Sequence, residues 1–195
     1  RPEGKPFINH LVGTASILAR HGATFPVVVA GLLHAAYAYG EFGFMRPGIT
    51  EKKRRHVRAI TGAEAEEIVY RYTKFKWNAE TIDSLPERLP GMPQDEKQLV
   101  LLRLANELEE GSDASLLYCA AGTRLLKATY LELSAGVARA LEMHRLAAEL
   151  DESHRRNAVE QPEGRPELGR DRVYSLPLLT RLRLALGRAL VRTKR

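Results

Sequence analysis

Two histidines stand in apolar surroundings near the start of the chain, where their side chains could serve as acids, bases or metal ligands. His10 lies in PFINHLVGTASILA, and His34 lies in the next apolar segment, VVVAGLLHAAYAYGEFGF. An imidazole changes its charge near neutral pH and also binds transition metals. We expect the two rings to face each other across a helical core. The alternative for each is a hydrogen-bonded histidine that only packs.

Polar residues close to these histidines extend the candidate site. Tyr37 follows His34 by one helical turn, so it is expected to point the same way and to donate a proton or stack on a ligand. Glu41 comes just past the expected helix end, where loops often place acid/base groups. Thr14 could hydrogen-bond into the same space or bond back to the carbonyl of residue 10. His34, Tyr37 and Glu41 are therefore candidate catalytic residues, and His10 and Thr14 are candidate ligand-binding residues; packing or solvated roles are the alternatives.

Helical periodicity predicts the elements that would position these side chains. The first helix should run from Phe7 to His21 and end at Gly22, and the second, apolar nearly all round and therefore buried, from Phe25 to Tyr39. No segment alternates with a period of two over a useful length, so the predicted fold class is all-α. Other predicted features are a cap at Thr50, a capping box of Thr61 and Glu64, irregular chain over 77–93, and helices over 95–111, 114–121 and 125–150 with a break at 134–136.

The composition is that of a globular domain in a reducing compartment. Of the 195 residues, 44% are hydrophobic and 28% charged, and the single cysteine, Cys119, excludes an intramolecular disulfide. No window reaches the ~18 apolar residues of a membrane span. We therefore expect a cytoplasmic protein. The net charge of +6 arises from residues 165–195, so the excess does not predict nucleic-acid binding by the rest of the chain.

The C-terminal segment has the pattern of a basic amphipathic helix. Over 175–195, five leucines share one face and three arginines share the opposite face. Such a helix could dock on the domain, on a partner subunit of a homo-oligomer, or on an anionic membrane surface. No aromatic residues are interleaved with the arginines for base stacking, so nucleic acid is not expected. The predicted organisation is a helical domain over 5–155, a linker over 156–174 and this helix over 175–195.

Four segments, in their order and spacing, resemble the HD superfamily of all-helical metal-dependent phosphohydrolases, above all its guanosine tetraphosphate hydrolase branch. They are NHLVGTASILARHGA, VVVAGLLHAAY, EEIVYRYTKF and LVLLRLANELEE. The resemblance implies an HD-domain-like orthogonal helical bundle. It also implies that His10 and His34 correspond to the two ligand histidines, and that Asn106 occupies the position of the last carboxylate ligand. Asn106 would then line the pocket and bind the ligand; the alternative is a position on the surface.

The chain departs from the family pattern at both carboxylate positions. Ala35 follows His34 where the family has aspartate, and Asn106 ends the Leu-Ala-Asp motif. Hard divalent ions prefer carboxylate oxygens, so the implied metal site is degenerate. A site rebuilt on His10, His34 and Glu41 could still hold zinc or iron, and the cofactor is therefore left open. The pattern is also similar to an uncharacterised HD-like family with His-Ala or His-Ser in place of His-Asp.

Three functional hypotheses follow. The first is a degenerate HD-like domain that binds a small metabolite, phosphorylated or carboxylated, and performs metal-independent acid/base chemistry of the hydrolase or lyase type. The second is a metal-dependent phosphohydrolase or oxygenase with reassigned ligands. The third is a non-catalytic interaction or regulatory module that acts through residues 175–195.

Overall fold

In the computed structural model the chain is described over residues 7–37, 48–112 and 121–159, except for the side chains of 121–125 and 159. These residues belong to one compact unit. They form helices and contain no strand, which confirms the all-α prediction. The helices are α1 (Phe7–Arg20), α2 (Phe25–Leu33), α3 (Glu51–Thr61), α4 (Ala63–Lys74), α5 (Ala79–Arg88), α6 (Gln94–Gly111), α7 (Ala121–Ala140) and α8 (His144–Val159), with a 3-10 turn at Leu89–Gly91.

The first two helices form a tight hairpin. α1 ends at Arg20, one residue before the predicted end, and Gly22 has the predicted left-handed conformation with a φ of 75°. Gly31 lets the helices approach closely, because a Cβ there would lie 2.6 Å from Leu18 Cδ1. The predicted extent of α2 to Tyr39 was wrong. The helix ends at Leu33 and a turn follows, in which the amide of Ala36 donates to the carbonyl of Leu33 at 2.8 Å.

The prediction that α2 is buried on most sides holds only in part. Only Val27, Ala30 and Gly31 are buried within the helix, and Phe25 is 79% exposed. The helices that contact α2 most are α1, α4 and α6, and they leave Phe25 and Leu32 exposed. An apolar composition measures the preference for burial but does not ensure that neighbours are present on every side.

The connection between α3 and α4 confirms one predicted cap and contradicts another. Thr50 caps α3 by accepting a hydrogen bond from the amide of Lys53 at 3.2 Å. Thr61 is not the cap of α4, because it still belongs to α3 and donates to the carbonyl of Val57. Gly62 separates the helices with a φ of 85° and offers no side chain for a cap. The expected capping box therefore does not form: the sharp glycine turn comes one residue after Thr61.

Two more boundaries differ from the sequence prediction. Residues 77–93 are largely helical, because the Asn78 side chain accepts from the amide of Thr81 and starts α5, and Pro86 is tolerated near its end. The break predicted at 134–136 is absent, and α7 continues through it. The chain turns instead at 141–143, where Glu142 has a φ of 60°. Apart from its last residue, with which α7 begins, the predicted helix over 114–121 lies outside the described residues.

Helix α6 is the centre of the described bundle and contacts α1, α2, α4, α7 and α8. Leu99, Leu102, Leu104 and Ala105 on this helix are fully or almost fully buried. Because neighbours surround the helix, its polar residues are buried as well, including Asn106, Glu107 and Glu109. A central helix with buried amide and carboxylate groups must satisfy them inside the bundle.

The final described helix, α8, extends to Val159, four residues beyond the predicted domain boundary at 155. The rest of the predicted linker and the predicted basic helix over 175–195 lie outside the described residues. Within the described part of the chain, no helix is both long and apolar enough to cross a bilayer. The HD-like orthogonal arrangement of the bundle stays a prediction.

Candidate functional site

His10 and His34 face each other inside the bundle, as the sequence analysis expected. His10 lies in the first turn of α1, and His34 is the residue that directly follows α2. Their Nε2 atoms are 3.1 Å apart, and their ring planes meet at 74° with the centroids 5.0 Å apart. Both residues are buried, with 1% and 5% of their surface exposed. The geometry is that of a direct imidazole–imidazole hydrogen bond.

The protons of this pair are fixed by the remaining partners. Nδ1 of His34 lies 2.8 Å from the carbonyl oxygen of Gly31, which can only accept, so Nδ1 of His34 carries a proton. Burial lowers the pKa of His34 to about 4, and the ring is therefore neutral at pH 7. Its Nε2 is then an acceptor, and the proton in the contact between the two rings belongs to Nε2 of His10.

A third buried group, Glu109, completes this line of hydrogen bonds. Its Oε2 contacts Nδ1 of His10, and the carboxylate is as buried as the histidines. Because His10 donates from Nε2, the contact with Glu109 is either a carboxylate–imidazolium pair or a protonated carboxyl group beside a neutral ring. In both cases Glu109 and His10 together carry no net charge. Sequence reasoning missed Glu109 and selected Asn106, one helical turn earlier on α6.

Gly13 makes room for the carboxylate of Glu109. A Cβ at this position would lie 2.7 Å from Cγ and 2.9 Å from Oε1 of Glu109, which is closer than real contacts allow. Gly13 is also three residues after His10, on the same side of α1. The available signals in the sequence were therefore a glycine one turn after a buried histidine and a glutamate one turn after Asn106.

On its other side, the His34 ring packs against an aromatic–arginine pair. The rings of His34 and Tyr72 are 5.3 Å apart in a T-shaped arrangement. The guanidinium of Arg103 lies 3.8 Å above the Tyr72 ring, donates to the Tyr72 hydroxyl, and donates at 3.0 Å to the carbonyls of Tyr72 and Phe75. The buried Nε of Arg103 has no acceptor among the described residues. A buried donor without an acceptor is uncommon in proteins and costs free energy.

A second polar cluster occupies the next positions of α6. Asn106 is buried and donates to Glu110 at 3.3 Å, and Lys127 of α7 pairs with both Glu107 and Glu110. Burial raises the pKa of Glu107, partly opposed by Lys127. Although burial acts against the charge of Lys127, the two carboxylates outweigh it and raise the pKa of this lysine. The cluster also affects the histidine pair. The charge of Glu110 raises the pKa of His34, whereas the neighbouring Arg103 and, above all, burial lower it.

The other predicted site residues lie elsewhere. Thr14 donates back to the carbonyl of His10 at 2.9 Å, which is the second of the two roles considered for it. The hydroxyl of Tyr37 donates to the buried carboxylate of Glu66 at 2.6 Å. The structure therefore places the Tyr37 hydroxyl in a separate polar cluster, because α2 ends before it and the helical spacing from His34 no longer applies. Glu41 lies outside the described residues.

Glu66 is the centre of that separate cluster. Arg54 binds it through two nitrogens at 2.7 and 2.9 Å, and Arg58 adds a third bond at 2.8 Å. Burial opposes ionisation, but the bonds from Arg54, Tyr37 and Arg58 outweigh it and lower the pKa of Glu66 to about 2. This cluster fixes the chain after α2 to α3 and α4, and it accounts for Arg54 in the basic run of 52–55.

Among the described residues, which do not include Glu41, the donor set does not fit the divalent metal that the HD resemblance implies. The described residues contain no group of three or more His, Cys, Asp and Glu side chains able to hold a metal ion. Ala35 has no donor atom, and the amide nitrogen of Asn106 is directed at Glu110. Catalytic zinc normally has three protein ligands. His10 and His34 form a hydrogen-bonded pair.

Comparison with known proteins identifies one similarity. Residues 2–76 match the model of a family described as a domain of unknown function (DUF6817). The matched range contains His10, His34 and Tyr72 and ends before α6, which carries Arg103 and Glu109. No curated protein matches the chain, and no solved structure matches it.

Proposed function

We propose that this chain binds a small anionic metabolite, phosphorylated or carboxylated, beside the two histidines and performs metal-independent acid/base chemistry on it. The observation that carries the proposal is the continuous line of hydrogen bonds from Glu109 through His10 to His34. Buried titratable groups that are linked to one another are costly to keep in a helical core, and they concentrate at functional sites.

The pair offers one donor and one acceptor at the same place. Nε2 of His10 carries a proton and Nε2 of His34 has a free lone pair whenever the direct bond between them opens. A substrate group that separates the rings would receive a proton from His10 and give one to His34. Glu109 supports this exchange, because it stabilises the charge that His10 carries when both its nitrogens are protonated. The reaction class is a hydrolysis, elimination or isomerisation that needs a coupled acid and base.

Arg103 is the group best suited to hold the anionic part of the ligand. It is fixed by the Tyr72 ring and by two backbone carbonyls, so little side-chain freedom is lost on binding. Its Nε still requires an acceptor, and Tyr72 connects it directly to the His34 ring. Arg103 would therefore orient a carboxylate or phosphate close to the acid/base pair.

The opposed histidines on α1 and after α2, with the long α6 beneath them, also support descent from an HD-type phosphohydrolase. In this proposal the chain kept both histidines, lost the two carboxylate ligands at Ala35 and Asn106, and uses Glu109 as a proton partner. The interaction-module hypothesis depends on residues 175–195, and deletion of 165–195 tests it through partner or liposome binding.

The proposal is tested with His34→Gln, which keeps a polar side chain of similar size. Parent and variant are screened by thermal shift against phosphate monoesters and dicarboxylates, for example glycerol 3-phosphate and succinate. We expect at least one probe to raise the melting temperature of the parent and to lose this effect in the variant. The matched control is His144→Gln, because His144 is exposed at the start of α8. Retained binding in His34→Gln, or no response of the parent to any probe, would contradict the proposal.

A further inference from the structure

A groove lies on the outer side of Glu109, between α1, α6 and α8. It has a volume of about 710 Å³, within the range of small-molecule sites. Gly13 and Glu109 line it next to the histidine pair, and the longer walls are formed by α1 and α8. Four arginines line the groove: Arg20, Arg145, Arg155 and Arg156.

The arginines are only partly neutralised. Glu149 is shared by Arg20 and Arg145, and Glu152 is shared by Arg155 and Arg156. Each guanidinium has five donor hydrogens, so most of them are not used by these two carboxylates. The third acid in the groove, Glu109, is directed at His10 and shares its proton. The groove therefore carries an excess of positive charge.

Breaking the existing ion pairs of the groove would cost a ligand little binding free energy. The four arginine side chains are 47% to 68% exposed, and exposed ion pairs contribute little to stability. A guanidinium fork also matches the oxygens of a phosphate or carboxylate in geometry, and such bonds are among the stronger hydrogen bonds in proteins. An anion with several oxygens can thus bind these arginines in place of the glutamates or beside them, at a small cost in free energy.

We infer that the groove between α1, α6 and α8 binds a compact ligand with two or more negative charges, of the phosphate-ester or polycarboxylate class. This site is distinct from the contact between His10 and His34, because the side chain of Glu109 separates the two. A ligand bound here would lie against the carboxylate that holds His10, so its charge would act directly on the proton shared by Glu109 and His10.

The experiment is calorimetric titration of the full chain with inorganic pyrophosphate at low and physiological salt. The double variant Arg145→Gln with Arg156→Gln removes one guanidinium from each pair. We expect binding to weaken at least about tenfold, since two charge-assisted hydrogen bonds are lost. The matched control is Arg139→Gln, because Arg139 forms an exposed pair with Asp151 at 2.7 Å outside the groove. The affinity of Arg139→Gln for pyrophosphate should stay within about twofold of that of the parent.

The inference would be overturned if the parent showed no saturable binding of pyrophosphate, or if the double variant and Arg139→Gln had the same affinity. The His34→Gln variant separates this site from the proposed function. Retained pyrophosphate binding in that variant is expected for the groove. If His34→Gln abolishes binding while the double variant keeps it, the anion occupies the histidine site and the groove inference fails. The arginine variants should keep the melting temperature of the parent to within a few degrees, because the altered arginines are exposed.

Discussion

Glu109 contacts Nδ1 of His10 although the two residues are 99 positions apart in the chain. Glu109 holds the Nδ1 side of the His10 ring, while the proton on Nε2 of His10 faces the acceptor nitrogen of His34. The α1–α6 packing that creates the contact is therefore part of the proposed acid/base chemistry. A substitution that separates these two helices should alter the histidine pair even when both rings are kept.

The first prediction concerns the tautomer of His34. At pH 7 we expect a neutral ring with the proton on Nδ1, because the Gly31 carbonyl requires a donor there. Long-range ¹H–¹⁵N spectra distinguish the two ring nitrogens directly. Exposed His144 is an internal reference that should show rapid exchange between forms. A proton found on Nε2 of His34 would show that the donor and acceptor are reversed.

The second prediction is a dependence of stability on pH. Burial lowers the pKa of His34 from 6.5 to about 4, so between these values the unfolded chain binds more protons than the folded one. Stability should therefore fall as the pH decreases from 6.5 to 4, by on the order of 3 kcal/mol from this residue. Charges of His10, Arg103 and Glu110 also act on the ring.

Urea denaturation at several pH values measures this dependence. The slope between pH 4 and 6.5 should be smaller in His34→Gln than in the parent, and it should be unchanged in His144→Gln. The same slope in the parent and in His34→Gln would mean that His34 titrates normally in the folded protein.

The third prediction compares two glycine substitutions. Gly13→Ala should displace the Glu109 side chain, because the new Cβ would be 2.7 Å from its Cγ, and should destabilise the protein by about 1–3 kcal/mol. Gly136→Ala is the control within a helix, since a Cβ at this position would meet no described atom within 4 Å. It should be neutral or stabilising by up to about 1 kcal/mol. Equal effects in chemical denaturation would contradict the proposed contact.

The fourth prediction concerns Glu66. Glu66→Gln should lower the free energy of unfolding by about 2–4 kcal/mol, because it removes the buried negative charge that Arg54 and Arg58 share. Glu67→Gln is the matched change, since Glu67 is about half exposed and makes a single bond to Arg54. It should cost less than about 1 kcal/mol. Unfolding free energies of similar size for both variants would show that the buried cluster contributes no more than a surface pair.

The fifth prediction concerns metal content. After dialysis without chelator we expect far less than one equivalent of zinc, iron or manganese, since the described residues contain no set of three suitable ligands. Elemental analysis of the purified full chain measures this directly, and the control is protein incubated with each metal and dialysed in parallel. Stoichiometric retention would favour the metal-dependent hypothesis over the proposed acid/base chemistry.

Much of the fold follows from local sequence signals. The spacing of apolar residues in α1 and the glycine at position 22 are sufficient to define that helix and its end, and two histidines on the inner sides of neighbouring segments are expected to meet. The end of α2 could not be predicted in the same way. Its apolar composition continues past Leu33, and the turn at 34–37 depends on tertiary bonds such as that of Tyr37 with Glu66.

Glu109 could not be identified because its burial is a tertiary property. In the sequence NELEE near a helix end, a glutamate is typical of a solvated face. It is buried only because α6 is surrounded by other helices, and its partner is on α1, far away in the sequence. The HD resemblance directed attention to Asn106, where the family has its carboxylate. The buried acid that contacts His10, Glu109, lies one turn further on.

The close approach at Gly13 has an evolutionary consequence. A side chain at position 13 and a glutamate at position 109 require the same space, so position 13 cannot take a larger residue while position 109 keeps its glutamate. Among relatives that keep this site, a residue larger than glycine at position 13 should occur together with a shorter or absent acid at position 109. The two positions should therefore covary, and a set of aligned homologues would reveal whether the acid-supported histidine pair was inherited as one unit.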